Sequence, residues 1–410
     1  TIGIQLSALN PHRFTMSKIQ LALVSTMSIQ AMATASTVTL SAVAPLVALS
    51  IGMPSTFIGT YVCFIYIGAA IAAVVGGTMV TRYGGIHVSQ ACLIMAAIGL
   101  LLSAFSNFAL ICVGGLLLGL SYGPITPASS DILAHTVPKE RMGFVFSLKQ
   151  TAVPLGSALA GFIVPGIALW AGLWQAGPLS MAILCLCIAL LVMYHRENLD
   201  DHNDPKSRFN IATVVNALRL VLSEKELRRM CIVSFVYNGT QMCVFSYLVS
   251  FMVEDLGVAI VLAGMALSAA SIGGMCGRLF WGIFADKIHS PILTLSLLGF
   301  LMAGMLVLTG LFSAQTATVW LLLVCFCLGG SAIGWNGVYL ANVARVAPNG
   351  KAGVATGGTL FFTFAGAIFL PLAFGLIHGV FGHYFESFYA TAALCAAIAL
   401  WLLVSVILKR

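Results

Sequence analysis

The sequence predicts an all-α integral membrane protein with twelve transmembrane helices arranged as two six-helix bundles. Three observations carry this reading. Sixty per cent of the 410 residues are hydrophobic and only 8% are charged, whereas a soluble domain carries roughly a quarter charged residues. Apolar runs recur along the whole length, each long enough to cross a hydrocarbon layer of roughly 30 Å as a helix. One long polar stretch divides these runs into two sets of six.

Breaking the chain at charges, prolines and glycine clusters places spans at 19–49, 55–80, 87–106, 109–136, 142–170 and 175–195, then at 228–255, 259–287, 291–313, 317–346, 351–379 and 386–408. The first span is read as a retained helix rather than a removed leader. The implied organisation is a first bundle over 1–198, a linker over 199–226 and a second bundle over 227–410. Within the linker, Ile211 to Leu222 is amphipathic and is expected to lie along the membrane surface. The eleven cysteines fall inside the spans without metal or redox spacing and read as small apolar packing residues.

With twelve spans and both termini on one side, 17 of the 19 Lys and Arg residues fall on the face of the termini. These include Arg13, Lys18, Arg82, Lys139, Arg141, Lys206, Arg208, Lys287, Arg345, Lys351, Lys409 and Arg410. The positive-inside rule makes that face cytoplasmic, which suits a bacterial inner membrane. The net charge of +7 is then a topology signal, and no nucleic-acid partner is implied. Besides the bilayer, the expected partner is a small molecule, with the chain acting as a monomer.

The two halves carry matching punctuation, the mark of transporters built from structural repeats. Gly77-Thr-Met-Val-Thr81-Arg82-Tyr-Gly84-Gly85 follows the second span, and Gly282-Ile-Phe-Ala-Asp286-Lys287 follows the eighth. The fourth and tenth spans end alike in His135-Thr-Val-Pro138 and Arg345-Val-Ala-Pro348. In these loops the chain resembles the major facilitator superfamily, with Thr81 standing where that family places an aspartate. The resemblance implies two parallel bundles that rock about a central site, with Arg82, Asp286 and Lys287 in gating roles. Gly115, Gly119 and Gly123, spaced by four in the fourth span, predict close helix packing.

A charge inside a span costs roughly 3 kcal/mol on insertion scales, so each embedded charge is a functional candidate. Three qualify: Asp131, Lys149 and Arg278. The segment around Arg278, Ser271-Ile-Gly-Gly-Met-Cys-Gly-Arg278-Leu-Phe-Trp-Gly282, is similar to the eighth helix of monocarboxylate transporters, which implies a guanidinium that holds a substrate carboxylate. A planar fork suits that task because it offers two parallel charge-assisted hydrogen bonds; the alternative is that Arg278 supports the neighbouring loop. In that family an aspartate stands one turn earlier, where this chain has Gly274. The superfamily resemblance also implies that the fifth and eighth helices face each other, bringing Lys149 and Arg278 to similar depth. Folding the fourth and fifth spans as a hairpin puts Asp131 at the depth of Lys149. That placement predicts an ion pair, with a link to Arg82 or a proton-carrying role as alternatives.

The resemblance further implies a cavity lined by the first, fourth, seventh and tenth helices. Its polar and aromatic candidates are Gln30, Thr34 and Thr37, then Tyr122, then Tyr237, Asn238 and Gln241, then Trp335 and Asn336; each could equally serve as an interhelical hydrogen bond. His378 and His383 lack ligand spacing, so no metal is expected. With no Walker loop or dinucleotide fingerprint, no cofactor is implied either. Nor does the sequence show a nucleophile and base that would make the chain an enzyme. The leading expectation is a secondary active, alternating-access transporter of a small organic anion, a monocarboxylate by resemblance, working by proton symport or exchange. The alternative is an exporter of an amphipathic metabolite, drug or siderophore.

Overall fold

The computed structural model describes residues 18–138, 145, 148–194, 196–200, 211–348 and 352–408. Arg13, Lys139, Arg141, Lys206, Arg208, Lys351, Lys409 and Arg410 lie outside the described residues. Among the described residues, twelve helices are long and apolar enough to span a membrane: α1 Lys18–Val38, α2 Phe57–Tyr83, α3 Gly85–Ser103, α4 Phe108–Thr136, α5 Leu148–Ala171, α6 Ala176–Met193, α7 Lys225–Glu254, α8 Ile260–Ile288, α9 Pro291–Gly310, α10 Thr318–Val346, α11 Val354–Phe381 and α12 Tyr384–Ile407. Helices are forced here because lipid cannot satisfy backbone N–H and C=O groups, so each segment must satisfy its own.

Helix pairing repeats between the two halves. In the first half α2 packs on α4, α3 on α4 and α6, and α1 on α5 and α6; in the second, α8 packs on α10, α9 on α10 and α12, and α7 on α11. The close approaches repeat as well. Gly119 of α4 seats against the Ile65 carbonyl of α2, and Gly329 of α10 seats against the Ala270 carbonyl of α8. Gly115 and Gly123 meet Tyr61 and the Ala69 carbonyl on the same face of α2, as their spacing predicts. Pro165 inside α5 has its counterpart in Pro371 inside α11.

Four spans are broken among the described residues, α5 at a turn at Thr151. The expected run 19–49 is α1, a 3₁₀ turn at Ser41–Val43 and a short helix Ala44–Ile51. Helix α4 breaks between Tyr122 and Ile125, and α10 between Ala332 and Asn336, at corresponding places in the repeat. Gly123-Pro124 accounts for the first interruption because proline lacks the N–H that the preceding turn needs.

Helix Ile211–Ser223 of the linker turns part of its apolar face onto α11, with Ala217 and Val221 buried against Gly358. Asp200 ties the linker to the first half: its carboxylate accepts the Ile86 and His87 N–H groups at 2.8 and 2.9 Å. Free N–H groups and the positive end of a helix dipole make the start of α3 a fitting site for that anion.

Candidate functional site between the bundles

The two halves meet chiefly through α5 against α8 and α2 against α11. Toward the face opposite the termini these contacts are close. Ser268 of α8 donates to the Ala158 carbonyl of α5 at 2.8 Å, and Ser157 donates to Ser271 at 2.9 Å. Gly161 and Gly264 let the two backbones touch. Tyr66 of α2 donates to the Met242 sulfur of α7 at 2.8 Å and lies 6.0 Å from the Phe364 ring of α11. At the rim, Ser55 donates to the Glu254 carboxylate, which also accepts the Tyr384 hydroxyl at 3.0 Å. The half of the molecule away from the termini is therefore closed.

Below this closure the embedded cations come together. Arg278 reaches from α8 to donate through Nη1 to the Gln150 carbonyl of α5 at 2.6 Å, and through Nε to the Ile333 carbonyl at the α10 break at 3.2 Å. The α10 break exposes that carbonyl by interrupting the helical ladder. The residue preceding Gln150 is Lys149, which is 2% exposed and donates to Gln30 Oε1 of α1 at 3.1 Å. Thr126 of α4 approaches the same oxygen at 3.5 Å. Lys149 and Arg278 lie within electrostatic reach of each other, as Tyr122 does of Arg278. Thr34 and Thr37 return their hydroxyls to the α1 backbone, at 3.0 and 2.8 Å.

No carboxylate pairs with Lys149 or Arg278 among the described residues. Asp131 sits 3.6 Å from His135 one turn along its own helix, and both are substantially exposed. The depth-matched pair of Asp131 with Lys149 does not form, because Lys149 points at α1 while Asp131 points along α4. Nor does Asp131 pair with Arg82, which is exposed with its guanidinium 5.3 Å from the Tyr83 ring. Asp286 and Lys287 are exposed at the end of α8.

Of the aromatic and amide candidates in the second half, most are held within their own bundle. Tyr237 is fully buried and donates to the Leu295 carbonyl of α9 at 2.8 Å. Asn238 donates to the Thr363 carbonyl of α11 at 2.8 Å, and Trp335 donates to Gln241 Oε1 at 3.2 Å. Tyr237 stacks edge-on behind Trp335, with centroids 6.0 Å apart. Asn336 is half-buried at the start of the second α10 segment. Among the described residues no group of three or more His, Cys, Asp or Glu side chains could hold a metal ion.

Sequence reasoning passed over Thr126, the acceptor carbonyls of Gln150 and Ile333, and the Ser55–Glu254–Tyr384 contact. A signal for the carbonyls existed in the Gly334 and Trp335 interruption, since a broken helix exposes acceptors. The small residues Gly264, Ser268 and Ser271, at helical spacing, likewise marked the α8 face that meets α5.

The family model of the Major Facilitator Superfamily matches residues 26–371. The chain belongs to this superfamily. Among curated proteins, the chain is 25% identical over 307 residues to a probable hexose phosphate transport protein of Chlamydia pneumoniae, covering 67% of this chain and 66% of that protein. It is 23% identical to a probable galactarate/D-glucarate transporter of Escherichia coli (strain K12), covering 64% of each. It is also 23% identical to a probable sulfoacetate transporter of Cupriavidus necator, covering 62% of this chain and 61% of that one. In each case the match spans just under two thirds of the relative's own length. Among solved structures, a nucleoside transporter aligns with TM-score 0.76 at 14% identity over 94% of this chain and 99% of that one. A bacterial Spinster homologue in an inward-facing, unoccupied conformation aligns with TM-score 0.70 at 11% identity, over 94% and 95%. These likenesses establish the fold.

Proposed function

We propose that this superfamily member is an alternating-access carrier of a small organic anion, bound between the bundles by Arg278 and Lys149. The observation that carries the reading is the meeting of two embedded cations from opposite bundles with no carboxylate paired to either among the described residues. Two uncompensated charges in a low-dielectric setting are costly and are retained at substrate paths. An anion entering between them would gain attraction from both halves at once, and so would favour the state in which the halves close on it. The named substrates of the three curated relatives, a hexose phosphate, galactarate or glucarate, and sulfoacetate, are all organic anions and support the class. Monocarboxylates fall within it.

Exchange is the proposed mode of coupling. The described residues place no carboxylate beside Arg278 or Lys149, and Asp131 stands against His135 instead. The proposed setting is a cell membrane with the termini in the cytoplasm, which makes the closed half the outer one, and the proposed working unit is a monomer.

The test is equilibrium binding of organic anions to purified protein, followed as thermal stabilisation, since a ligand that binds only the folded state raises its melting temperature. Arg278→Lys keeps the charge and removes the fork, so it should abolish selective stabilisation by anions while preserving the fold. Unchanged anion binding in that variant would refute the anchoring role. Stabilisation by amphipathic or cationic compounds alone would refute the anion class.

A further inference from the structure

Gln30 is fully buried, and its side-chain oxygen is approached by two donors, Lys149 Nζ at 3.1 Å and Thr126 Oγ1 at 3.5 Å. The Lys149 ammonium has donors only, which fixes the carboxamide: a flipped amide would set its NH2 against that ammonium. The amide nitrogen is therefore presented away from them, and Nε2 has no hydrogen-bond partner. A buried donor without an acceptor is destabilising, and such groups are rare in native folds. An oxygen brought in by a ligand as the two bundles part and close would supply that acceptor. Lys149, which donates to the same amide, is in electrostatic reach of Arg278. The unpaired donor thus belongs to the same cluster as the two cations.

We infer that Gln30 is a specificity-determining residue: its Nε2 donates to a second, uncharged oxygen on the transported anion, so that the site takes oxygenated organic anions in preference to their plain alkyl counterparts. This rests on the anion reading above. A site built to donate to a substrate oxygen rejects an analogue that lacks it because its own donor is then left unpaired. Lys149 positions the amide, and the acceptor would be a hydroxyl or keto oxygen close to the charged group.

The test compares affinities within pairs that share a carbon skeleton: propionate against lactate, succinate against malate, and adipate against galactarate. Wild type should favour the oxygenated member of at least one pair by roughly tenfold. Gln30→Leu and the nearly isosteric Gln30→Met should each bring that ratio close to one, whatever change in affinity common to both members of a pair follows from loss of the Lys149 acceptor. The Met variant supplies the reading if the Leu variant fails to fold. A wild-type ratio near one in every pair in which an anion binds, or a ratio that survives both substitutions, would overturn the inference. Either result, with binding that still depends on Arg278, would leave the anion reading standing. Absence of any Arg278-dependent anion binding would instead overturn both.

Discussion

Substituting Gly161 by alanine tests whether the contact between α5 and α8 sets the closed conformation. A Cβ at Gly161 would lie 2.8 Å from the Gly264 carbonyl oxygen, 2.9 Å from Ser268 Oγ and 3.1 Å from Ser268 N. Carbon–oxygen contacts settle near 3.3–3.6 Å, so α5 and α8 would have to part by about half an ångström. The displaced atoms are largely backbone and cannot rotate away. Inserting a methyl group into such a contact costs about 1–3 kcal/mol. This penalty falls on the conformer closed at this face, because the opposing atoms belong to the other bundle. The closed fraction should therefore drop by a factor of about 5 to 150 relative to the open one. The assay is double electron–electron resonance between spin labels at Leu49 and Val380, 82% and 79% exposed on opposite bundles, with the native cysteines replaced. A new long-distance population should appear in Gly161→Ala. An unchanged distance distribution in a variant with wild-type melting temperature would refute the assignment of this contact as the closing surface.

Other expectations follow from the same geometry. Glu254→Gln leaves one acceptor oxygen for the two donors Ser55 and Tyr384; it should shift the same spin-label distances in the same direction by no more than about fivefold, since Glu254 itself is exposed and water competes for it. Asp131→Asn should change stability by less than about 0.5 kcal/mol in denaturant titration, whereas an ion pair with Lys149 would make it severely destabilising. Burial pushes the Asp200 carboxyl above its usual value despite the two N–H groups it accepts. The folded chain therefore holds that proton over a pH range in which the unfolded chain has lost it, and the stability so contributed declines as pH rises. The melting temperature of wild type minus that of Asp200→Asn should accordingly grow on acidification from pH 7 toward 4, and the opposite trend would contradict the assignment.

The twelve spans were legible because apolar length is a property of the sequence, and the helix 4 glycines because a repeat of four residues defines one helical face. The pairing of Lys149 was not. Folding α4 and α5 as a hairpin gives the height of each residue in the membrane but not the direction in which it points, and Lys149 and Asp131 share a height while facing different neighbours. Tyr237, Asn238 and Trp335 take the interhelical hydrogen-bonding role that the sequence also allowed, with partners it could not name. Their partners are the Leu295 and Thr363 carbonyls and the Gln241 side chain, and carbonyl acceptors have no identity in a sequence because every residue carries one. The approach of Arg278 to α5 was anticipated only through the family resemblance. The orphaned nitrogen of Gln30 became visible only once its two oxygen-directed donors had been located.

The central claim, that paired cations from opposite bundles carry an organic anion by exchange, is tested most directly in proteoliposomes. Purified protein would be preloaded with one organic anion and offered a second, radiolabelled one outside. The account predicts saturable uptake that internal anion accelerates, that cationic and neutral amphipathic compounds do not inhibit, and that Arg278→Lys and Lys149→Gln each reduce sharply. Anion uptake indifferent to both substitutions, or uptake confined to amphipathic compounds, would contradict it.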